Sequence, residues 1–397
     1  MQISSRQPYL DWLRIMAILG VLVFHSAMAF VAEWEWHLKN KETSYLLMEF
    51  NFWLSRFRMP LLFFISGTVT YFMLKNRSGL SFVGLRFRRL FVPVLFGMLI
   101  IVPPQVYMER LTRGFQGSFF EFYPKVFEFE PYPKGNFSWH HLWFIVYLFL
   151  YDIIFTPVFK WCMSEKGKSF LQKFDWLAKG KWIYLIMLPG IIVYSSLILK
   201  FPGTNDLIHD WCHLFYWLLF LLGGFFCITN PAYMSSLERN RRTSFALAFL
   251  TIVVINYLRW NGQEPGNENN WTMYAYLSLY PMTAWFWVMT AMGYGKKYLN
   301  RKSKVLDYVN QAVYPFYILH QTVIVVIVYY VIQVQESILM KYLFTVILSF
   351  VVSVSIYHLF IRPYAIMRFL FGMKPKKKEK RREKPVIVEA AVVLQTV

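Results

Sequence analysis

The sequence predicts an all-α protein, a polytopic membrane fold of about ten transmembrane helices enclosing a central cavity. Three observations predict it. Hydrophobic residues fill 57% of the 397 positions and charged residues only 16%, against the quarter or so usual in soluble domains. Apolar blocks long enough to span a bilayer recur from end to end, with no long soluble stretch between them. Basic residues gather in alternate connecting segments, the pattern that orients helical membrane proteins.

The blocks fall at about 9–33, 50–74, 88–108, 140–160, 182–200, 212–229, 244–258, 273–294, 312–333 and 340–361. They are continuous runs, not two-residue alternation, which excludes a closed outer-membrane barrel. The first block reads RIMAILGVLVFH between Arg14 and His25. Eleven residues make about three helical turns, so both side chains share one face at depths roughly 16 Å apart. Ionisable groups inside a span are expensive and mark cavities or sites. Asp11 can pair with Arg14 one turn away. That pair serves either to set the depth of the helix or to hold an arginine at a cavity floor. Neutral imidazole suits His25 to taking a proton from a hydroxyl.

The second block contains NFWLSRFRMPLLFFISG, residues 51–67. Arg58 lies too deep to reach water easily and needs a partner, a cavity or an anion. Pro60 frees a backbone carbonyl, and Ser66-Gly67 admits a close neighbour. RFRRLFVP opens the third block, with Arg86 and Arg89 on one face below Pro93. Two guanidiniums at a cavity mouth suit phosphates. In the fourth, WHHLWFIVYLFLYD sets His140, His141 and Trp143 at the interface and Asp152 deeper. His209 and His213, with Cys212 between them, open the sixth block at metal-ligand spacing, but outside the carboxylate-rich or Cys-paired context of a metal site. The ninth carries VYPFYILHQ, where Pro315 disturbs the helix and His320 faces the interior as a hydrogen-bonding partner or cavity wall. The remaining blocks rest on their apolar runs alone.

The net charge of +20 follows topology rather than nucleic acid. With the N-terminus inside, the inner segments hold Arg6, the run from Lys75 to Arg89, and the lysines from Lys160 to Lys181. Arg239 to Arg242, Lys296 to Lys304 and the cluster from Arg362 to Lys384 complete them. Both termini are therefore expected in the cytoplasm, with an even number of crossings of the inner membrane. The chain divides into a transmembrane domain, 1–373, and a basic tail, 374–397, expected to be disordered and to touch anionic lipid. Cys162, Cys212 and Cys227 show no paired spacing. SAMA at 26–29 resembles a signal-cleavage site, but Arg14 interrupts the apolar core that such a signal needs.

These motifs together resemble the membrane-bound acyltransferase-3 family. The matching signatures are Arg14-x10-His25, RMPLLFFISG, Arg86-x-x-Arg89, HLWF at 141–144 and YPFYILH at 314–320. FRMPLLFFISG and HLWF together are most similar to the branch that succinylates periplasmic glucans. The resemblance implies a ten-span core, His25 as the essential catalytic residue with Arg14 as its companion, and Arg86 and Arg89 on the phosphates of acyl-CoA. It also implies that Ser66-Gly67 shapes the cavity. Arg58 is a candidate for stabilising negative charge in the reaction. His141, Trp143, His320 and Asp152 are candidate cavity or acceptor residues. The acyl group, acetyl or succinyl, would pass from cytoplasmic acyl-CoA to a hydroxyl of an extracytoplasmic glycan or glycolipid. Acyl-CoA is a co-substrate, and no metal or other cofactor is expected. Two departures stand out: the fused esterase-like domain of many members is replaced by a basic tail, and IVYLF replaces a glutamate-bearing signature. The first leaves room for a separate extracytoplasmic transferase. A sugar or lipid transporter is the rival reading, since kinked helices and intramembrane arginines suit it too.

Overall fold

The computed structural model describes residues 7–266 and 270–375. Every apolar block is helical. The helices are α1 (Pro8–Ala27), α2 (Tyr45–Leu74), α3 (Gly79–Thr112), α4 (His140–Met163), α5 (Trp182–Leu197), α6 (Trp211–Thr229) and α7 (Pro231–Trp260). They continue with α8 (Trp271–Tyr298), α9 (Lys304–Val331) and α10 (Ile338–Ile361). Among the described residues eight are long and apolar enough to cross a membrane, all but α5 and α8. Length and apolar character thus carry eight of the ten expected crossings. α5 is short, a 3₁₀ stretch running into ten α-helical residues. α8 has the length, at 28 residues, but its tyrosines, tryptophans and threonines dilute its apolar character. No strand forms among the described residues.

Side-chain caps start several of these rods. Ser44, Ser78, Ser303 and Ser337 each accept a backbone N–H from the first turn of α2, α3, α9 and α10, satisfying donors that the helix itself leaves open. Prolines inside the rods free carbonyls that must bond elsewhere in an apolar setting. Pro93 cannot donate to the carbonyl of Arg89, and the Tyr314 hydroxyl of α9 does so at 2.9 Å. Pro103 leaves the Leu99 carbonyl to the Tyr123 hydroxyl, at 3.0 Å. A second tie between α9 and α3 runs from the Thr322 hydroxyl to the Ile101 carbonyl, at 2.6 Å. π-helical turns at Phe87–Phe91 and Gly97–Ile101 flank the first of these prolines.

α1 packs between α2 and α9, α7 lies against α8, and α2 lies against α6. At the last contact the backbones touch. A Cβ on Gly67 would stand 1.9 Å from the Leu221 carbonyl oxygen, and one on Gly224 would stand 1.8 Å from that of Phe64. Only glycine permits that approach. The chain alternates direction, so Gln7, Lys374 and Pro375 line one cavity at one end of the bundle, as an even number of crossings requires. Arg6 and nearly all of the basic tail (376–397) lie outside the described residues.

Candidate active site

His25, near the end of α1, meets α9. Its Nδ1 lies 3.0 Å from His320 Nε2, and the two ring planes are within 6° of parallel. His320 Nδ1 lies 2.5 Å from the Tyr317 carbonyl oxygen. A carbonyl can only accept, so for neutral rings this contact assigns the hydrogen to His320 Nδ1 and a lone pair to its Nε2. His25 Nδ1 must then donate. The lone pair of His25 is left on Nε2, and the residue is half-buried.

His141 holds this pair from behind. It is buried, 4% exposed, with its ring perpendicular to that of His320 at 5.2 Å between centroids. Its Nε2 donates to the Ile318 carbonyl at 3.0 Å, and its own carbonyl accepts the Tyr317 hydroxyl. Gln105 approaches its Nδ1 at 3.5 Å. Both ring nitrogens are thereby engaged, and His141 acts as a strut that fixes the turn of α9 carrying His320.

Arg58 comes from α2 to the neighbouring wall. Its guanidinium lies 3.6 Å over the ring of Phe24, the residue before His25. Its Nε is buried without a hydrogen-bond partner. A cation held over an aromatic face with an unused donor is suited to an anion or to developing negative charge.

The donor-side candidates lie at the other end. A cavity of about 1670 Å³ opens there, lined by Arg14, Lys75, Arg77, Arg89, Arg362, Arg368 and Lys374 among others. It shares Arg14, Val69, Arg89, Asn310 and Tyr314 with a deeper slot of about 210 Å³. The slot rises between Ser66, Phe144 and Leu148 and ends at Ile18, Leu62 and Tyr317. On α2 and α9 those end residues sit about one helical turn from Arg58 and His320, and on α1 about two turns from His25. His25 does not line the slot.

Arg14 is therefore a cavity-wall residue, bonded to the Asn310 side-chain oxygen and 3.5 Å from Asp11. The structure separates Arg86 from Arg89. Arg89 lines both cavities, whereas Arg86, although it borders the slot, forms a 2.7 Å ion pair with the fully buried Asp152. The Thr70 hydroxyl bridges the pair, accepting from Arg86 at 2.9 Å and donating to Asp152 at 3.0 Å. Asp152 thus faces Arg86 and borders neither cavity. Of Ser66-Gly67, only Ser66 lines the slot; Gly67 faces α6. Trp143 packs against Phe63, Tyr147 and Trp217, away from both cavities. Sequence reasoning had not joined Arg362, Arg368 or Asn310 to the mouth. Nor had it seen the approach of His37 to Glu109 at the far end, which no spacing signals.

A family model described as an acyltransferase domain matches residues 7–358. Among curated relatives, glucans biosynthesis protein C of Escherichia coli O139:H28 (strain E24377A / ETEC) is 23% identical over 395 residues, covering 96% of this chain and 98% of the relative. The protein of the same name from Escherichia coli O157:H7 (strain EC4115 / EHEC) is 24% identical over 396 residues with the same coverage. No solved structure matches the chain.

Proposed function

Because the chain belongs to the acyltransferase domain family, we propose that this membrane acyltransferase takes a short acyl group, acetyl or succinyl, from acyl-CoA at its basic mouth. It passes the group to a hydroxyl of a glycan or lipid-linked saccharide at the opposite end. The observation that carries this reading is the arginine-rich cavity of about 1670 Å³, which narrows into a slot rising toward His25. Phosphates suit its mouth, where guanidiniums and ammoniums converge. A thin pantetheine arm and a small acyl group suit the slot. The positive-inside pattern of the connecting segments supports a mouth that opens to the cytoplasm.

The chemistry follows from the tautomer. The acceptor hydroxyl gives its proton to His25 Nε2 as its oxygen attacks the thioester carbonyl. The carbon–sulfur bond breaks, the ester forms, and the thiolate leaves with the proton that His25 returns. His320 orients the base by accepting from its Nδ1–H, the role a third group plays in hydrolytic triads. The Arg58 guanidinium stabilises the oxyanion in a low-dielectric setting. To reach the base the thioester has to pass Leu62 and Tyr317, which close the slot about one helical turn from Arg58 and His320, and the passage requires the Tyr317 hydroxyl to leave the His141 carbonyl.

Filling the slot tests the path. Ser66→Phe sets a benzyl group in a space of about 210 Å³. Transfer from acyl-CoA is expected to fall about 10²-fold, as for other misplaced reactants. Affinity at the mouth for adenosine 3′,5′-bisphosphate, the part of CoA without the pantetheine arm, measured by calorimetry on detergent-purified protein, stays within about twofold. Wild-type protein that binds no CoA, or a Ser66→Phe variant with unchanged transfer, contradicts the reading.

A further inference from the structure

Beyond His25, at the end of the bundle opposite the basic mouth, a second polar cluster forms from segments with no common spacing. The α1–α2 connection supplies His37, the end of α3 supplies Glu109, the segment leading into α4 supplies Tyr132, and α4 opens with His140. His37 Nδ1 lies 2.6 Å from Glu109 Oε2. The carboxylate is fully buried, and the His37 side chain is 12% exposed. Tyr132 donates its hydroxyl to both carboxylate oxygens, at 3.0 and 3.2 Å. Arg113 Nη2 lies 2.8 Å from Oε1. Burial first, then the Glu109 carboxylate, push the Tyr132 phenol above its ordinary value, so it stays a donor.

A carboxylate only accepts, so in the neutral ring His37 Nδ1 carries the hydrogen and Nε2 the lone pair. That is the arrangement of a carboxylate-oriented imidazole. Gln321, the residue after His320, brings its amide to 3.4 Å from His37 Nε2 and donates to Gln105 at 3.0 Å. Gln105 in turn reaches His141, so the cluster is tied to the imidazoles around His25. His140 stacks on His37, 4.6 Å between centroids, with Tyr132 edge-on to it at 4.9 Å. His140 Nδ1 lies 2.7 Å from Ser138 Oγ, but its Nε2 is buried without a partner.

His37, Glu109 and His140 also offer ligand atoms within 4.8 Å of one another. A cation there would displace bonds that already occupy both oxygens of Glu109, and it would face the Arg113 guanidinium. A neutral ligand rich in hydroxyls meets neither cost. It meets the partly exposed His37 side chain, whose Nε2 is held only by the long 3.4 Å approach of the Gln321 amide, the partnerless ring nitrogen of His140 and an aromatic wall. We propose that His37, oriented by Glu109, forms with His140, Tyr132 and Gln321 the acceptor subsite, which binds a saccharide ring through its hydroxyls. The proposal rests on the acyl-transfer reading above.

The test measures transfer from succinyl-CoA or acetyl-CoA to a β-linked glucan oligosaccharide, with CoA binding followed separately. His37→Ala and Glu109→Gln each raise the oligosaccharide KM about tenfold or more, the effect of losing a hydrogen bond to a buried polar group. CoA affinity stays within about twofold. Tyr132→Phe keeps the ring and removes one donor from the carboxylate; it raises the same KM less, and it serves if Glu109→Gln fails to fold. Unchanged KM in these variants overturns the subsite. So does wild-type protein that binds CoA yet transfers nothing to the oligosaccharide. A stoichiometric metal ion in the purified protein, removed by His140→Ala, would overturn it in favour of a metal centre. Wild-type protein without CoA affinity counts instead against the acyl-transfer reading.

Discussion

Replacing His25 by alanine lowers acyl transfer about 10²–10⁴-fold, the usual share of a positioned general base, while CoA affinity stays within about twofold. The two effects separate because no atom of His25 lines the donor cavity or its slot. His320→Ala produces a smaller loss of the same kind. It removes the acceptor at 3.0 Å that holds the His25 hydrogen on Nδ1, so the base populates the wrong tautomer part of the time. Initial rates of label transfer from acyl-CoA, set beside calorimetric binding of CoA, read both variants. Full transfer by His25→Ala removes the mechanism.

The second large effect concerns folding. Arg86→Ala or Asp152→Asn leaves an uncompensated group in a site where Arg86 is 6% exposed and Asp152 is fully buried. Breaking a buried pair in this way costs about 3–5 kcal/mol, enough to lower the detergent-solubilised unfolding temperature sharply. Substituting both at once, Arg86→Met with Asp152→Leu, recovers much of the loss because no lone charge remains. Arg89→Ala behaves in the opposite way. Its guanidinium lines both cavities, so CoA binding weakens while the unfolding temperature changes little. Thermal unfolding and CoA titration of the four proteins distinguish an ion pair that braces α3 against α4 from an arginine that meets a ligand. Equal loss of CoA affinity in a stable Arg86→Ala protein would return Arg86 to the donor site.

The contrast between Arg86 and Arg89 shows where sequence reading stops. Their three-residue spacing marks one helical face, but which arginine meets solvent depends on Asp152, whose approach is set by how α4 packs on α3. The partnership of His25 with His320 is equally hidden, the two being 295 residues apart; each is visible alone as an ionisable group in an apolar run. The membrane helices were legible because continuous apolar runs have few other uses. Their ends were less so. α7 begins at Pro231, well before the apolar block at 244, because Glu238, Arg239, Arg241 and Arg242 are good helix formers that hydropathy overlooks. The block at 182–200 narrows to a short helix entered through a 3₁₀ stretch. The small pair Ser66-Gly67 signals the close approach of another backbone or a ligand, and at Gly67 the neighbour is a backbone, the Leu221 carbonyl of α6.

The separation of the basic mouth from the His37 cluster leads to the decisive measurement. Purified protein is reconstituted in sealed vesicles and sorted by orientation, with labelled acyl-CoA on one side and a glucan oligosaccharide on the other. Label should reach the saccharide only when acyl-CoA bathes the face bearing Arg14 and Arg89 and the saccharide bathes the face bearing His37. Transfer that requires both substrates on the same face would contradict a path that runs through the bundle.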